Sequence, residues 1–337
     1  MEEFDNIAIS SRIRLARNVD GLKFYTKLDS EIDASYITNA VIKTLEKFEV
    51  FSHIKLSDCS LNECNAMFER HLISKELIEN KDISSLAISE DQKIIVMINE
   101  EDHIREQCIE KGFNLYKPYR RLSKIDQEIC ASLPIAFDRD LGFITASPSN
   151  LGTAMRASVM LFLPALERRG SISLLQRLAV ENGLTVRGYY GEGSKAKGSL
   201  YQISNQGSLG YSEDEIIDRV SQFIYDVIEK EKAAREQILS EEFDQIKDEC
   251  LRSYGILTNC HCLEEDEMLS LLSSVKFGGA LGFLTIKDDE KFMKLFYEGA
   301  SSNLKEIFDF FENKKENIVR SEYISKEIKN LVQRGNT

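Results

Sequence analysis

The sequence lacks the features that mark an exported or membrane-embedded chain. No apolar run approaches the roughly 20 residues that a spanning helix needs. The opening residues MEEFDNIAISS have neither the basic nor the apolar region of a secretory signal, so a cytoplasmic location is expected. Among the seven cysteines, an odd number, no C-x-x-C pair occurs. Cys260-His261-Cys262 comes nearest to a metal motif, but no second ligand pair lies near it and structural zinc needs four ligands. Reduced, mostly buried thiols are expected instead. Internal repeats and low-complexity linkers are missing, and the four prolines, at 118, 134, 148 and 164, all fall in the middle third.

What is present is a chain of 337 residues, 42% of them hydrophobic, enough for one large domain or two of ordinary size. A net charge of −13 argues against a polyanion covering the whole surface. A local arginine cluster in such a chain points to a small anionic ligand. Nucleic-acid binding through SSRIRLARN (10–18) and KPYRRLSK (117–124) is an alternative that the net charge disfavours.

Residues 7–17 alternate as a strand, with Arg12 and Arg14 on one face and Ile13 and Leu15 on the other. Residues 31–48 read as an amphipathic helix, 93–99 (KIIVMIN) as a buried strand and 119–133 as a helix. From 134 to 210 the pattern is mostly strands: IAFD, GFITAS, MRASVMLFLP, GLTVRGYYG and SLYQISNQ, interrupted by a helix over 171–182. Beyond Ser212, which with Glu215 forms a capping box, the chain is helical and charged. The expectation is an α+β protein, with a sheet-centred domain over 1–235 and a helical domain over 236–337.

Two groups of residues point to chemistry. Glu100, Glu101 and Asp102 are adjacent carboxylates, followed by His103 and Arg105, and such crowding requires a cation nearby. Arg12, Arg14, Arg105, Arg156 and Arg187 lie on or beside strands. A surface ion pair is the ordinary explanation for any one of them. Five converging guanidiniums would repel unless an anion lay between them, and planar bidentate donors suit a polyphosphate. The glycine-rich stretch RGYYGEGSKAKGS (187–199) is either a flexible hairpin or a binding loop. It is no P-loop, because Ser194 follows Gly193 where a lysine is required, and the eukaryotic kinase signatures are missing too. A nucleotide would be held by arginines.

Four segments, SSRIRLARN (10–18), NEEDHIR (99–105), SPSNLGTAMRASVM (147–160) and VRGYYGEGS (186–194), resemble in their order the ATP:guanidino phosphotransferases, which include the arginine and creatine kinases. RASVMLFLPAL, YQISNQGSLGYSEDEI and RSYGILTNC are similar to the bacterial branch, the protein-arginine kinases. The resemblance implies an antiparallel sheet flanked by helices, of the guanidino-kinase and glutamine-synthetase-like type. ATP, with Mg²⁺, would lie across it. The implied nucleotide positions are Ser10, Ser11, Arg12, Ile13, Arg14, His71, Arg105, Arg156, Ala157, Ser158, Val159, Met160, Arg187, Gly188, Tyr189, Tyr190, Gly191 and Glu192. Glu101 would orient the substrate guanidinium and accept its proton. Glu100 and Asp102 would support it, near the metal's waters or by holding Arg105.

The branch further implies protein-borne arginine as substrate and a role in stress-response quality control. Its partners would be a Clp-type unfoldase or protease, a heat-shock transcription repressor, a zinc-binding activator protein and a second copy of the chain, docked through the helical domain.

Three positions depart from the family pattern. Ser147 stands where most members carry a reactive cysteine; its hydroxyl can donate to a guanidinium but is no thiolate. Lys195 replaces a second substrate-binding glutamate. NIVRSE (317–322) retains only Arg320 of an arginine-rich element that reads phosphoarginine. These departures motivate an alternative, a catalytically impaired homologue acting as a nucleotide-binding scaffold or regulator.

Overall fold

The computed structural model describes residues 6–24, 31–48, 50–188, 197–308 and 314–335. In chain order the first half contains β1 (Ala8–Arg17), α1 (Glu31–Leu45), β2 (Phe51–Lys55), α2 (Leu61–Glu69), α3 (Lys75–Glu79), β3 (Ser85–Ser89), β4 (Ile94–Ile98), β5 (Ile104–Lys111) and α4 (Tyr116–Ser132). Next come the short pair β6 (Phe137–Asp138) and β7 (Gly142–Phe143), then β8 (Met155–Phe162), α5 (Pro164–Arg168), α6 (Ile172–Glu181), β9 (Leu184–Gly188) and β10 (Leu200–Asn205). The remainder is α7 (Glu213–Glu241), α8 (Phe243–Asn259), α9 (Glu265–Ala280), β11 (Leu284–Ile286), α10 (Asp289–Glu298), α11 (Ser301–Ile307), α12 (Glu316–Leu331) and β12 (Val332–Arg334).

Eight strands form one antiparallel sheet in the order β2-β3-β4-β5-β1-β8-β10-β9. From Ser10 onward, beyond a register shift after Ala8, alternation gives β1 two characters. Ile13 and Leu15 enter a core with Ala157 and Val159 of β8 and with Leu122, Ile125 and Ile129 of α4, all buried. Ser10, Arg12 and Arg14 project from the other face. Part of that second face is covered as well: α2 and α3 lay Cys64 and Leu77 over Leu86, Ile95 and Met97, forming a second, smaller core. The rest of the face, over β5, β1, β8 and β10, remains for the site.

IAFD and GFITAS contribute only the two-residue strands β6 and β7. Their neighbouring backbone is tied instead by isolated bridges, Val19 to Ile135 and Gly152 to Gly142, Phe143 and Ser208. Gly152 has φ +103, and an added Cβ would lie 2.5 Å from the Ser208 carbonyl oxygen, so only glycine fits where these segments cross. Ser212 and Glu215 close the capping box of α7. This single helix of 29 residues runs through the expected boundary at 235/236. Its residues Ile224, Val227 and Ile238 belong to the same core as α8, α9 and α10.

The helical part also grips the sheet part by hydrogen bonds. Glu69, ending α2, accepts the Ser302 and Asn303 amides at 3.1 and 3.0 Å, which satisfies the first turn of α11. Arg70 Nε donates to Asn303 Oδ1 at 2.6 Å. Arg320 is buried within α12 and donates to the Gly299 and Leu263 carbonyls and to Asn317 and Glu316. It is the brace at the centre of the module.

On the core side of β5, Glu106 is buried against Asp126 of α4, which Arg17 Nη2 holds at 2.8 Å. Neither Glu106 oxygen has a hydrogen-bond donor among the described residues. Burial first, and then the Asp126 charge, push its carboxyl well above the usual range. An unfolded glutamate ionises near about pH 4.3. Folding therefore takes up a proton above that value, and stability falls as pH rises between the unfolded and folded pKa values. Glu106→Gln removes this linkage. Its melting temperature minus that of the parent should grow as pH rises above the unfolded glutamate value of about 4.3; a constant difference would show that Glu106 folds ionised.

Candidate active site

The site begins with register. Arg14 lies opposite Gln107 of β5 and Arg156 of β8, Arg12 lies opposite Ile109 and Ser158, and Arg105 lies opposite Ala16. Side chains of adjacent strands on one face stand about 5 Å apart, so Arg12, Arg14, Arg105 and Arg156 converge. The electrostatic consequence is large. Burial, then the charges of Arg105 and Arg156, lower the Arg12 pKa to about 10. Arg14 is driven well below its usual value by burial and then by Arg12, Arg105 and Arg156, with Glu100 a partial offset. The Nε atoms of both Arg12 and Arg14 are buried with no hydrogen-bond partner among the described residues. Buried donors are nearly always satisfied in folded proteins. An anion would supply the missing acceptor.

Arg105 is the compensated member. Its Nη1 donates to both oxygens of Glu100, at 2.6 and 2.7 Å. Burial acts to lower its pKa, but Glu100 outweighs burial and raises it. Arg156 Nε donates to Ser204 Oγ of β10 at 3.2 Å. Arg187 sits opposite Gln202 on β9, three strands from β1, or about 14 Å along the sheet. It belongs to the rim of the face.

The three carboxylates occupy the β4–β5 turn. Asn99 opens it at φ 61, a conformation asparagine tolerates, and its amide is held by the His103 carbonyl at 2.8 Å. From this turn the acids take three different tasks. Glu100 is buried on Arg105. Asp102 is buried and accepts from Asn18 Nδ2 and from the Ala146 amide, both at 2.7 Å, tying the turn to the Ser147 segment. Glu101 alone keeps its carboxylate half-exposed, with no hydrogen bond or ion pair among the described residues. Burial, followed by the Asp102 charge, raises its pKa. The cation that balances Glu100 is the chain's own Arg105, the holding role given above as one of two for Glu100. His103 is held by backbone at both ring nitrogens: its Nδ1 accepts the Val19 amide at 3.0 Å and its Nε2 therefore donates to the Lys23 carbonyl at 2.7 Å.

The remaining expected residues divide by face. Ser10, Ser158 and Met160 line the open face with Arg12. Ser11, Ile13, Ala157 and Val159 point into the opposite core; there Ser11 Oγ donates to the Gly112 carbonyl at 2.8 Å. Their side chains cannot reach a ligand on the arginine face, because alternate residues of a strand point to opposite sides. His71, at φ 59 just after α2, overhangs the arginines, and Gln107 Nε2 donates to its carbonyl at 3.2 Å. Burial and then Arg12 push His71 down to about 4, so it is neutral there.

Gly188 is buried at the end of β9. Tyr189, Tyr190, Gly191, Glu192 and Lys195 lie outside the described residues. Ser147 Oγ and Ser149 Oγ are 2.9 Å apart in an exposed turn.

Asn18 and Gln107 were not picked out by their residue type alone. Asn18 joins Asp102, the Ile144 carbonyl and the His103 amide, and Gln107 clamps the His71 backbone. Among the described residues no group of three His, Cys, Asp or Glu could chelate a metal. A Mg²⁺ carried by phosphate oxygens and water needs only one or two carboxylates, and Glu101 is the acid of the turn that is not already held.

Comparison with known proteins identifies the family. The family model described as ATP:guanido phosphotransferase, C-terminal catalytic domain, matches residues 34–234. The model described as protein-arginine kinase McsB C-terminal domain matches residues 243–337. A protein-arginine kinase of Clostridium acetobutylicum is 39% identical over 330 residues, covering 96% of this chain and 97% of its own. One from Geobacillus thermodenitrificans is 40% identical over 283 residues, covering 83% and 78%. Among solved structures, the duplicated taurocyamine kinase of Schistosoma mansoni with bound transition-state-analogue components matches with TM-score 0.61 and 27% identity, over 67% of this chain and 33% of that one. A lombricine kinase shares the fold at TM-score 0.60 and 23% identity, over 69% and 68%. With both parts of the chain matched in order, it belongs to the ATP:guanidino phosphotransferases, in the branch of the protein-arginine kinases.

Proposed function

We propose that the chain transfers the γ-phosphoryl group of ATP to arginine side chains of proteins. The observation that carries this reading is the pairing of the buried Arg12 and Arg14 Nε donors with Glu101 on the adjoining turn, all three without a hydrogen-bond partner among the described residues. The triphosphate lies among Arg12, Arg14, Arg105 and Arg156, which offset charge on the transferring group. The incoming guanidinium has a pKa above about 12 and is a poor nucleophile while protonated. Glu101 aligns it and takes one proton as the N–P bond forms and the bond from the γ-phosphorus to the ADP oxygen breaks. A carboxylate of the acidic turn would hold Mg²⁺ together with the triphosphate, and the ion would supply charge neutralisation there. Ser147 donates its hydroxyl hydrogen bond beside the substrate.

The relatives' shared name supports a protein-borne arginine as the acceptor. By the same reading the phosphoarginine product marks proteins for a Clp-type unfoldase or protease in the cytoplasmic stress response. A heat-shock transcription repressor is one substrate, a zinc-binding activator protein is a regulator, and the working form is a homodimer joined through the helical module. No described helix is long and apolar enough to cross a membrane.

Two measurements test the catalytic assignment. Full-length protein, MgATP and an arginine-rich unfolded protein, with free arginine in parallel, should yield an acid-labile P–N signal in phosphorus NMR on the protein only. Glu101→Gln should lower kcat by about 10²–10⁴-fold while leaving nucleotide affinity in place. A silent parent together with an active Lys195→Glu variant would instead establish the impaired scaffold.

The second test is pH dependence. Glu101 acts ionised, so the rate falls as pH drops through its raised pKa, and the acid limb lies above the ordinary glutamate value of about 4.3. Asp102→Asn keeps an oxygen for Asn18 and Ala146 but removes a charge, and should move that limb to lower pH. An unmoved limb would mean that Glu101 is not the titrating base.

A further inference from the structure

We propose that helix α10 of the C-terminal module forms the wall against which the purine of the nucleotide lies, so that the helical module is itself part of the nucleotide site. The proposal rests on the reading of the arginine face as a nucleoside-triphosphate site. Its first support is a cavity of about 480 Å³ that starts at Arg12 and His71 and continues away from the acidic turn. The floor is sheet: Ile109 of β5, Met160 of β8 and Gln202 of β10. The roof is α10, which contributes Met293 and Tyr297, with Asp289, Glu290 and Lys294 also lining the cavity.

The ends of this cavity differ in chemistry. The Arg12 end suits phosphates. Beyond Arg12, the cavity sets the thioether of Met160 on the sheet against that of Met293 on the helix; Ile109, opposite Arg12, and Tyr297 complete its apolar lining, and Lys93 and Lys111 border it. A slot bordered by polarisable, adaptable thioethers suits a flat heteroaromatic ring, which gains contact on both faces. The triphosphate fixed at Arg12 and the base in this slot make one ligand that touches both parts of the chain.

A second set of contacts holds α10 in that position. Glu69 and Arg70, the residues just before His71, are bonded to the start of α11. At the far side, the return of the glycine-rich stretch into β10 is seated on the module. Lys197 Nζ reaches Asp266 at 2.5 Å, and Ser273 Oγ donates to Ser199 Oγ at 3.1 Å. Gly198, at φ +65, passes so close to α10 that an added Cβ would stand 2.7 Å from the Phe296 ring. The module is thus fastened to the two segments that flank the cavity as well as lining it. A ligand that contacts both the sheet and α10 must stabilise this seating, and the seating must tighten the ligand by the same factor.

The test is a binding measurement that needs no phosphate transfer. Calorimetric titration of the full chain with ATP and, separately, with inorganic tripolyphosphate distinguishes the base end from the phosphate end. Met293→Ala and Tyr297→Ala should each weaken ATP by about tenfold and leave tripolyphosphate within about twofold. Met293→Leu, of similar volume, should restore most of the loss, which separates contact from misfolding. Arg12→Ala should weaken both ligands. Amide exchange across 289–298 should slow with ATP and stay unchanged with tripolyphosphate. The proposal is overturned if the α10 variants bind ATP as the parent does, or if they weaken both ligands equally. A parent chain that binds neither ligand would overturn the nucleotide reading itself.

Discussion

Like charges buried together on one face of a sheet set the terms for the rest of this molecule. Two unit charges about 4 Å apart repel by roughly 4 kcal/mol at an effective dielectric near 20, and burial adds to that cost. The chain answers the problem for one arginine and leaves it open for two others. Glu100 neutralises Arg105, while Arg12 and Arg14 retain buried donors without partners among the described residues. A fold tolerates such a cluster only when the surrounding packing over-determines it. That packing is the continuous core beneath β1, β5 and β8, and the small core under α2 and α3 that walls one side of the face.

The acidic turn shows the complementary economy. Three adjacent carboxylates look equivalent in the sequence, yet a five-residue turn sends each to a different neighbour: an arginine, a pair of amide donors, and the open face. Asn18, at the end of β1, joins this turn to the segment bearing Ser147. The strand that presents the phosphate-binding arginines therefore also positions the acid and the hydroxyl.

Legibility followed hydrophobic contrast. β1, β4 and β8 were plain, because their core-facing residues are aliphatic or small. β5, IREQCIEK, was not assigned as a strand: its open face carries Arg105, Gln107 and Lys111, and its core face carries Glu106 and Glu110. A functional face removes the pattern by which strands are recognised. IAFD and GFITAS were over-read, since apolar residues there serve a loop crossing at Gly152. The contiguous runs taken from family resemblance named residues of both faces, and alternation separates Ser10, Arg12 and Arg14 from Ser11 and Ile13. The part of the cavity formed by α10 lies almost 200 residues beyond β5 in the chain, so no local pattern could have joined them.

Helix α7 has a consequence of its own. At 29 residues it is a beam about 44 Å long; the first matched region ends inside it, at residue 234, and the second begins at residue 243, just past its end. Chains whose modules are joined by flexible linkers can be cut apart and each half studied alone. Here a cut near residue 235 would sever a hydrogen-bonded helix and strip Arg235 from Glu231, which caps the Ala165 and Leu166 amides. The molecule has two parts but no seam.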